Sequence, residues 1–500
     1  MRLSRRTFVL GSLGAVVAPR PAPAYPFTLG VASGEPAPDS VVLWTRLAPK
    51  PLDEDGQGGM SRADVTVDWQ VSTSESFARP IAYGNVVARQ ADAHSVHVVA
   101  GGLAPGAEYF YRFRTQGHTS PVGRTRTAPA FTSFGPDLSM LFASCANFEH
   151  GFFTAYRRMA EENPGLILHL GDYIYEGAPS PDRPRQHLGP EVLTLADYRR
   201  RYGQYKLEAE LQAAHAVAPW LVVPDDHDVE NDYAGTHRLD NVPPLSPAQW
   251  TARHAAAYRA YYEHLPLRPS AAPTGTSLPI YRRIRWGRLA TFHMLDTRQF
   301  RDPQVCGGVW KACPGADRPG RSITGSAQEK WLLDGLAKHE GTWDVIGQQV
   351  FFAQRQDKRG AGAMDYWDGY TASRERLQKG WADRKVRNPV VLTGDIHSAW
   401  ANDLKADYDN PRSRTIGTEL VCTSITSRAD GTATTAIPNG ATNPHLKFYS
   451  DRRGYVRTTI GRDRIRADFR GLDAVTRRDV PIRTIRSFVI PDGRPGLQAP

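Results

Sequence analysis

The 500-residue chain contains no long hydrophobic run: no stretch approaches the roughly 20 consecutive apolar residues that a membrane-spanning helix needs. It also lacks the Gly-x-Ser-x-Gly turn of serine hydrolases, the Gly-x-x-x-x-Gly-Lys loop that cradles phosphates, and the His-Glu-x-x-His helix of zinc peptidases. It has no internal repeat and no low-complexity tract. These absences argue against a transmembrane protein, against those three kinds of active site and against a repeat architecture.

Cysteine is scarce, with four residues in the chain. Cys306 and Cys313 lie seven residues apart around a glycine-rich loop, which predicts a local disulfide in an oxidising compartment. Cys145 ends an apolar strand and suits a thiolate metal ligand, whereas Cys422 lies in an apolar run typical of a buried strand. The spacing alone leaves the other two pairings open.

The N-terminus carries the pattern of a twin-arginine export signal. Arg5-Arg6 precedes an apolar stretch from Leu10 to Ala18, and small residues follow as far as Ala24. We expect residues 1–24 to be a Tat-type signal peptide and the mature protein to be secreted: extracellular, periplasmic or cell-wall associated. A short N-terminal anchor or a disordered tail is the alternative interpretation.

The net charge is positive. It is formally +10, and it falls to +6 without the four arginines of the predicted signal, which contains no acidic residue. A mildly basic surface attracts phosphate-bearing molecules but does not identify a specific nucleic-acid binder.

The length predicts two domains. Residues 26–127 show the period-two alternation of an all-β unit, for example over 40–46 and 65–71. A Leu-x-Pro-Gly-x-x-Tyr turn that ends at Tyr109 is typical of the tyrosine corner of β-sandwiches. We therefore expect a fibronectin-III-like N-terminal sandwich, followed by a linker over 127–136.

From residue 137 onwards, short apolar strands alternate with amphipathic helical runs such as 197–216 and 251–264. This alternation predicts a layered α/β domain over 137–500. In such domains the carboxyl ends of the strands meet at one edge of a sheet, where ligands bind.

Side chains that bind metals follow five of these predicted strands. Asp172 and Tyr175 come directly after the apolar run 166–170, so that a carboxylate and a phenol can be aimed at one ion. A single aspartate after a strand is usually a turn or cap residue, but five such strand ends together predict a metal site. The remaining strand ends carry Cys145; Asp225, Asp226, His227, Asp228, Asn231 and Asp232; Asp296; and Asp395 with His397.

These motifs resemble those of the PhoD-type alkaline phosphatases, within the metallophosphoesterase superfamily. The resemblance covers essentially the whole chain and implies an αββα catalytic domain, an Fe(III) ion with Ca(II) beside it, and phosphate esters as substrates. The segments that carry it are Ser144-Cys145, Gly171-Asp172-Tyr173-Ile174-Tyr175-Glu176, residues 225–233, residues 295–301, and Gly394-Asp395-Ile396-His397-Ser398-Ala399-Trp400.

The chain departs from the more distantly similar purple acid phosphatases at three positions. Asp226 stands where those enzymes have an asparagine, and Asp395 where they have a histidine. Carboxylates at both positions make a harder oxygen site, which favours calcium over zinc or a second iron. Cys145 stands where they have an aspartate. A thiolate on Fe(III) is chemically reasonable, and a small buried apolar residue is the alternative.

The resemblance implies a division of the ligands. Asp172 is expected to bridge iron and calcium, Tyr175 and Cys145 to bind iron, and Asp226 and Asp395 to bind calcium. Asn231 is either a ligand of a further calcium or a helix cap. His397 is either an iron ligand or a phosphate contact, and the family pattern favours the metal.

Two residues are predicted to act on the substrate. His227 is the candidate for protonating the leaving group or holding a phosphate oxygen; a neutral histidine that orients a carboxylate is the alternative. Arg298 is predicted either to bind phosphate with both guanidinium nitrogens or to pair with Asp296.

We therefore expect a secreted, monomeric phosphatase that hydrolyses phosphate monoesters and diesters. One alternative is a phosphodiesterase of the phospholipase D class, because Trp310, Trp367 and Tyr370 lie in loops that could touch phospholipid. A second alternative is a secreted binding protein with an inactive catalytic domain.

Overall fold

The computed structural model describes residues 24–239, 243–410 and 412–500. The predicted signal peptide therefore lies outside the described residues, except for Ala24. Among the described helices, none is both long and apolar enough to cross a membrane.

The described chain folds into strands and α-helices with 3-10 turns between them. The helices are α1 Thr154–Glu161, α2 Leu195–Lys206, α3 Ala209–Val217, α4 Pro247–His264, α5 Gly325–Leu336 and α6 Thr371–Asp383. The strands are β1 Val31–Gly34, β2 Ser40–Arg46, β3 Val65–Ser72, β4 Ala82–Ala88, β5 Ser95–Gly101, β6 Glu108–Thr115, β7 His118–Thr119, β8 Gly123–Arg126, β9 Leu138–Ala143, β10 Leu166–His169, β11 Pro219–Val222, β12 Arg282–Trp286, β13 Ala290–Met294, β14 Trp310–Lys311, β15 Trp343–Gly347, β16 Gly362–Ala363, β17 Pro389–Thr393, β18 Ala399–Lys405, β19 Thr415–Val421, β20 Leu446–Ser450, β21 Gly454–Ile460, β22 Arg464–Leu472 and β23 Ile482–Pro491.

Two large mixed sheets form the centre of the molecule. The nine-stranded sheet has the order β23-β22-β21-β9-β10-β11-β1-β2-β5, and the seven-stranded sheet has the order β12-β13-β15-β17-β19-β18-β20. Each contains a run of parallel neighbours, β9-β10-β11 in one and β13-β15-β17-β19 in the other. These parallel strands are short, apolar and almost entirely buried, as strands covered on both faces must be.

Two apolar clusters surround these sheets. The larger one joins residues of both sheets, such as Leu168 and Val345, with aromatic residues of α1, α2 and α4, such as Tyr156. The smaller one joins the seven-stranded sheet to α5 and α6 through residues such as Leu336 and Trp381. The mixed α/β architecture predicted for residues beyond 137 is confirmed.

The N-terminal segment is less separate than its sequence pattern predicts. Its strands β3, β4, β6, β7 and β8 form a five-stranded sheet, but β1, β2 and β5 extend the nine-stranded sheet, in which β1 pairs with β11. The two layers share an apolar core that includes Val41, Val98 and Phe113. The hydroxyl of Tyr109 accepts the Ala104 N–H at 2.8 Å, which is the contact expected of a tyrosine corner. The specific fibronectin-III-like arrangement stays a prediction.

Helix boundaries follow local capping signals. The predicted helical run 197–216 is two helices, because the backbone leaves the helical conformation at Glu208. A capping box of Thr194 and Asp197 starts α2, and a second one, of Ser246 and Gln249, starts α4 four residues before the predicted 251.

The cysteines occupy the predicted places. Cys306 and Cys313 form a disulfide, which confirms the local bridge. Cys145 and Cys422 are free and buried.

Candidate metal centre

The ligand-type residues meet where the parallel strands of the two sheets end. Cys145 follows β9, Asp172 follows β10, and Asp226 follows β11 in the nine-stranded sheet. Asp395 and His397 follow β17 of the seven-stranded sheet. Donor atoms from these ends form three groups, each with all atoms within 4.8 Å of one another: Cys145, Asp172 and His397; Asp172, Asp226 and His227; and Asp172, Asp225, Asp226 and Asp395. All three groups share Asp172.

The backbone turns sharply at these strand ends. Cys145, Asp172, Asp395 and His397 all have positive φ, between 55° and 62°. A non-glycine residue in this region costs free energy, and such residues cluster at functional sites. The turns aim the side chains across the edge of the sheet instead of along it.

A sulfur, a phenol and an imidazole lie together on one side of the Asp172 carboxylate. The Tyr175 hydroxyl lies 2.7 Å from Asp172 Oδ2 and 3.1 Å from His397 Nε2. The Cys145 thiol belongs to the same group. The structure therefore brings together the four residues for which the sequence predicts iron ligation.

The other side of Asp172 is purely carboxylate. Asp225, Asp226 and Asp395 lie there. The Asp232 backbone N–H donates to Asp226 Oδ2 at 2.7 Å. A set of carboxylate oxygens is what a hard cation such as Ca²⁺ prefers.

Arg298 is placed differently from either sequence-based alternative. Its side chain is 0% exposed, with Nε 2.5 Å from Asp225 Oδ1 and Nη1 3.0 Å from Asp365 Oδ2. Its Nη2 lies 3.6 Å from both Asp226 and Asp395. Asp296 accepts the Arg298 backbone N–H instead of the guanidinium. The guanidinium is thus enclosed behind the carboxylates, which corrects both the direct phosphate contact and the pairing with Asp296.

His227 lies at the mouth of the site with a side chain that is 21% exposed. Its Nδ1 lies 2.8 Å from Glu176 Oε2, and its ring packs on Tyr175 with the centroids 4.1 Å apart. Burial disfavours the charged imidazole, but Glu176, Asp172 and Asp226 outweigh burial and raise the pKa of His227 well above its usual value. These carboxylates therefore favour the protonated imidazole.

Asn231 is hydrogen-bonded to two carboxylates beside the three groups. Its backbone N–H donates to Glu176 Oε1, and its Nδ2 donates to Asp232 Oδ2 at 3.2 Å. It lies beside the carboxylates, and its role as a ligand stays a prediction.

One buried carboxylate holds the two aspartate turns together. Asp228 accepts the backbone N–H groups of Asp172 at 3.0 Å, Tyr173 at 3.1 Å and Asp225 at 3.0 Å. Burial, only partly offset by these donors, raises the pKa of Asp228 to about 7. Its place one residue after His227 gave no sign of this role.

The protein alone does not satisfy the charge or the hydrogen bonding of this cluster. Burial, followed by the charge of neighbouring aspartates, raises the pKa values of Cys145, Asp172 and Asp395 well above their usual ranges. Buried polar atoms at this cluster, among them His397 Nδ1 and Asp225 Oδ2, have no hydrogen-bond partner among the residues that the structure describes. Bound cations would favour the ionised donors. The donor set fits two unlike cations, one held by sulfur, phenol and imidazole donors and one held by carboxylate oxygens, such as Fe(III) and Ca(II).

Several contributing residues carry no recognisable local pattern. The Ser427 hydroxyl donates to the Tyr175 oxygen at 2.7 Å and also contacts the Cys145 carbonyl at 2.9 Å. Asp365 forms ion pairs with both Arg298 and Arg301. They reach the site from loops distant in sequence, which only the folded chain reveals.

Two family models match the chain. The model described as "PhoD-like phosphatase" matches residues 140–469, and "PhoD-like phosphatase, N-terminal domain" matches residues 14–129.

A curated relative and a solved structure show similarity over nearly the whole chain. Alkaline phosphatase D of Bacillus subtilis (strain 168) is 44% identical over 488 residues, which is 95% of this chain and 82% of that protein. A solved structure titled "Structure of PhoD" superposes with a TM-score of 0.92 at 44% identity, and covers 96% of this chain and 93% of the other.

Proposed function

Since the chain belongs to the PhoD-like phosphatase family and is a phosphoric ester hydrolase, we propose that it is a secreted, monomeric phosphatase that hydrolyses phosphate monoesters and diesters at a mixed iron and calcium site. The observation that carries the proposal is the sharing of Asp172 by three groups of ligand atoms. One carboxylate with two oxygens between a sulfur-and-phenol side and a carboxylate side is the arrangement that two unlike cations need.

The residues divide into two sets under this proposal. Cys145, Tyr175 and His397 would hold Fe(III), with Asp172 between the two ions. Asp226 and Asp395 would hold Ca(II), and Asn231 would serve a further calcium. When bound, such cations supply Lewis acidity towards the phosphoryl oxygens and make hydroxide accessible at moderate pH.

The protein's own groups complete the chemistry. Protonated His227 faces the mouth of the site and is oriented by Glu176, so it can give its Nε2 proton to the departing alcohol oxygen. Arg298 keeps two of the clustered aspartates close by sharing its charge among them. Asp228 fixes the turn that presents Asp172.

The finer fold assignment belongs to the same proposal. The two sheets with α1 to α4 packed on one and α5 and α6 on the other support a metallophosphoesterase-type αββα domain. The two β layers of the N-terminal segment support the fibronectin-III-like assignment. The twin-arginine pattern supports secretion by the Tat route.

The phospholipid alternative loses most of its motivation. Trp367 and Tyr370 are fully buried, and only Trp310, at 40% exposure, remains available at the surface. Buried rings pack the core and do not touch a lipid.

Substrate comparison tests the proposal. The protein is assayed with p-nitrophenyl phosphate, its bis ester and phosphatidylcholine, with Asp172→Ala as the inactive control. We expect release from the first two that is lost in the variant. Equal activity of Asp172→Ala and wild type would contradict the proposal and support the binding-protein alternative.

A further inference from the structure

We propose that Arg183, Arg428 and His150 form an anion subsite beside the iron side of the centre, which binds a second anionic group of the substrate. The ligand class is a phosphate ester whose alcohol part carries a carboxylate or a further phosphate. This inference rests on the proposed function and narrows its substrate class.

The first part of the subsite is the loop that follows β19. Ser427 in this loop reaches the Tyr175 hydroxyl, so the next residue, Arg428, stands at the edge of the metal centre. Arg428 and Ala429 have φ of 67° and 55°. The Nε of buried Arg453 donates a hydrogen bond to the Ala429 carbonyl at 2.7 Å. The same guanidinium also donates to the His397 carbonyl. The loop is thus tied to the site on both sides while the Arg428 side chain is exposed.

The second part is His150, whose tautomer is fixed by the same loop. The Arg428 backbone N–H donates to His150 Nδ1 at 2.9 Å. Because Nδ1 accepts a hydrogen bond, the proton of the neutral ring is on Nε2. Burial, followed by the charges of Arg183, Arg453, His227 and Arg428, lowers the pKa of His150 to about 4. The ring therefore presents a neutral N–H donor at the pH of an alkaline phosphatase.

The third part is Arg183, from the loop before α2. Glu149 holds that loop against the segment of His150 by accepting the backbone N–H groups of Ser180 and His187, both at 3.0 Å. The Arg183 side chain is exposed and electrostatically coupled to His150.

These cations are not neutralised by the protein. Within the described part of the chain, neither Arg183 nor Arg428 takes part in an ion pair, although carboxylates pair with most arginines near them, such as Arg185 and Arg452. Asp430 and Asp451, the next two acids after Arg428 along the chain, accept from the backbone N–H groups of Val475 and Thr432 instead. Exposed, unpaired guanidinium groups from the two loops that flank a histidine N–H donor favour a bound anion.

The position of the cluster determines which anion it binds. The reacting phosphoryl group must lie at Asp172, between the two sides of the centre. The ring of His227 packs on Tyr175 with the centroids 4.1 Å apart, and the Ser427 hydroxyl contacts the oxygen of the same tyrosine at 2.7 Å, so His227 and the Arg428 loop both lie at Tyr175. A group held by Arg183 and Arg428 is therefore on the alcohol side of the ester, where His227 protonates the leaving oxygen.

Matched substrate pairs test the subsite. Glycerol 3-phosphate and 3-phosphoglycerate differ by one carboxylate, and propanediol monophosphate and propanediol bisphosphate differ by one phosphate. The ratio of kcat/KM within each pair is measured for wild type, Arg183→Gln and Arg428→Gln. Arg79→Gln, which removes an exposed arginine of the N-terminal segment, is the charge-matched control.

We expect the kcat/KM ratio, the substrate with the additional anionic group over its partner, to fall about tenfold in each subsite variant, because one charge-assisted contact is lost. The same ratio should stay constant in Arg79→Gln. A fall in one pair only would identify the carboxylate or the phosphate as the anion that binds. Equal losses on both members of both pairs, or unchanged ratios in both variants, would overturn the subsite. Wild-type protein that hydrolyses neither member of any pair would overturn the proposed function itself.

Discussion

At Asp172 the backbone has a φ of 55°, its N–H donates to Asp228, and its two oxygens face Tyr175 on one side and the His227 N–H on the other. A backbone in the left-handed region at an aspartate costs a folding free energy of order 1–3 kcal/mol. That cost is acceptable only because the surrounding contacts determine the conformation. The same reasoning applies to Cys145 and His397.

The phenol of Tyr175 gives the first prediction. Tyr175→Phe removes one oxygen donor from the iron side and leaves the ring packing on His227 intact. Under the proposed function, the Tyr175 phenolate and the Cys145 thiolate both give Fe(III) a visible charge-transfer absorption. We expect the phenolate contribution to disappear in Tyr175→Phe, and activity on p-nitrophenyl phosphate to fall at least about tenfold. Tyr83→Phe makes the same atomic change at a residue that is 74% exposed and should leave both properties unchanged. A visible absorption spectrum of Tyr175→Phe identical to that of wild type would contradict the assignment of the phenolate.

Glu176 gives the second prediction at this scale. Its carboxylate contributes to the raised pKa of His227, so Glu176→Gln should lower that pKa. If protonated His227 is the general acid, activity is lost as pH rises through its pKa. The alkaline limb of kcat/KM should therefore move to lower pH in the variant. An alkaline limb at the wild-type position would show that His227 does not supply the proton.

At the scale of the element, helix α4 packs a neutral histidine into the core. His254 is 2% exposed, stacks on Trp250 at 5.3 Å and lies edge-on to Tyr258 at 4.5 Å. Its Nε2 has no hydrogen-bond partner among the described residues. Burial lowers the pKa of His254 to about 4, so protonation is much less favourable in the folded chain than in the unfolded one.

The third prediction concerns acid stability. A group with a depressed folded pKa stabilises the protein fully above its unfolded pKa, here about 6.5. That contribution is lost as pH falls from about 6.5 towards 4. We expect wild type to lose about 2 kcal/mol between pH 8 and pH 4.5 that His254→Phe keeps, with similar behaviour of the two proteins at pH 8. Denaturant unfolding at both pH values measures this difference; equal losses would contradict the account.

Some of these elements could be predicted from sequence patterns, and others could not. The strands that lead to Cys145, Asp172 and Asp395 were predictable because each apolar run is followed at once by its ligand. The split between α2 and α3 was not, because the turn at Glu208 interrupts a continuous amphipathic pattern. Ser427, Asp365 and Asp228 were missed as supporting residues because their function depends on partners from other segments.

At the scale of the whole molecule, the N-terminal segment and the catalytic sheet are one structure. Strand β1 pairs with β11, the strand that leads to Asp226. Trp44 of β2 is fully buried, donates from its indole nitrogen to the Glu263 carbonyl at 3.0 Å, and lies 4.0 Å from the Lys206 ammonium. Period-two alternation predicts strands but not their partners, so this continuity could not be read from the sequence.

The fourth prediction follows from that continuity. Trp44→Ala should cost about 3–5 kcal/mol, as truncation of a buried tryptophan does. Calorimetry should show a single unfolding transition in wild type that moves as a whole to lower temperature in the variant. Two transitions, of which Trp44→Ala shifts only one, would show that the N-terminal segment unfolds independently.

Under the proposed function, a sulfur-and-phenol side and a carboxylate side of Asp172 hold two unlike cations. Elemental analysis of purified protein, in parallel with its Asp172→Ala variant, tests it most directly. We predict about one iron per chain, calcium in at least equal amount, and the loss of both metals together with activity in the variant. Full activity after exhaustive chelation, in protein that contains neither metal, would contradict the account.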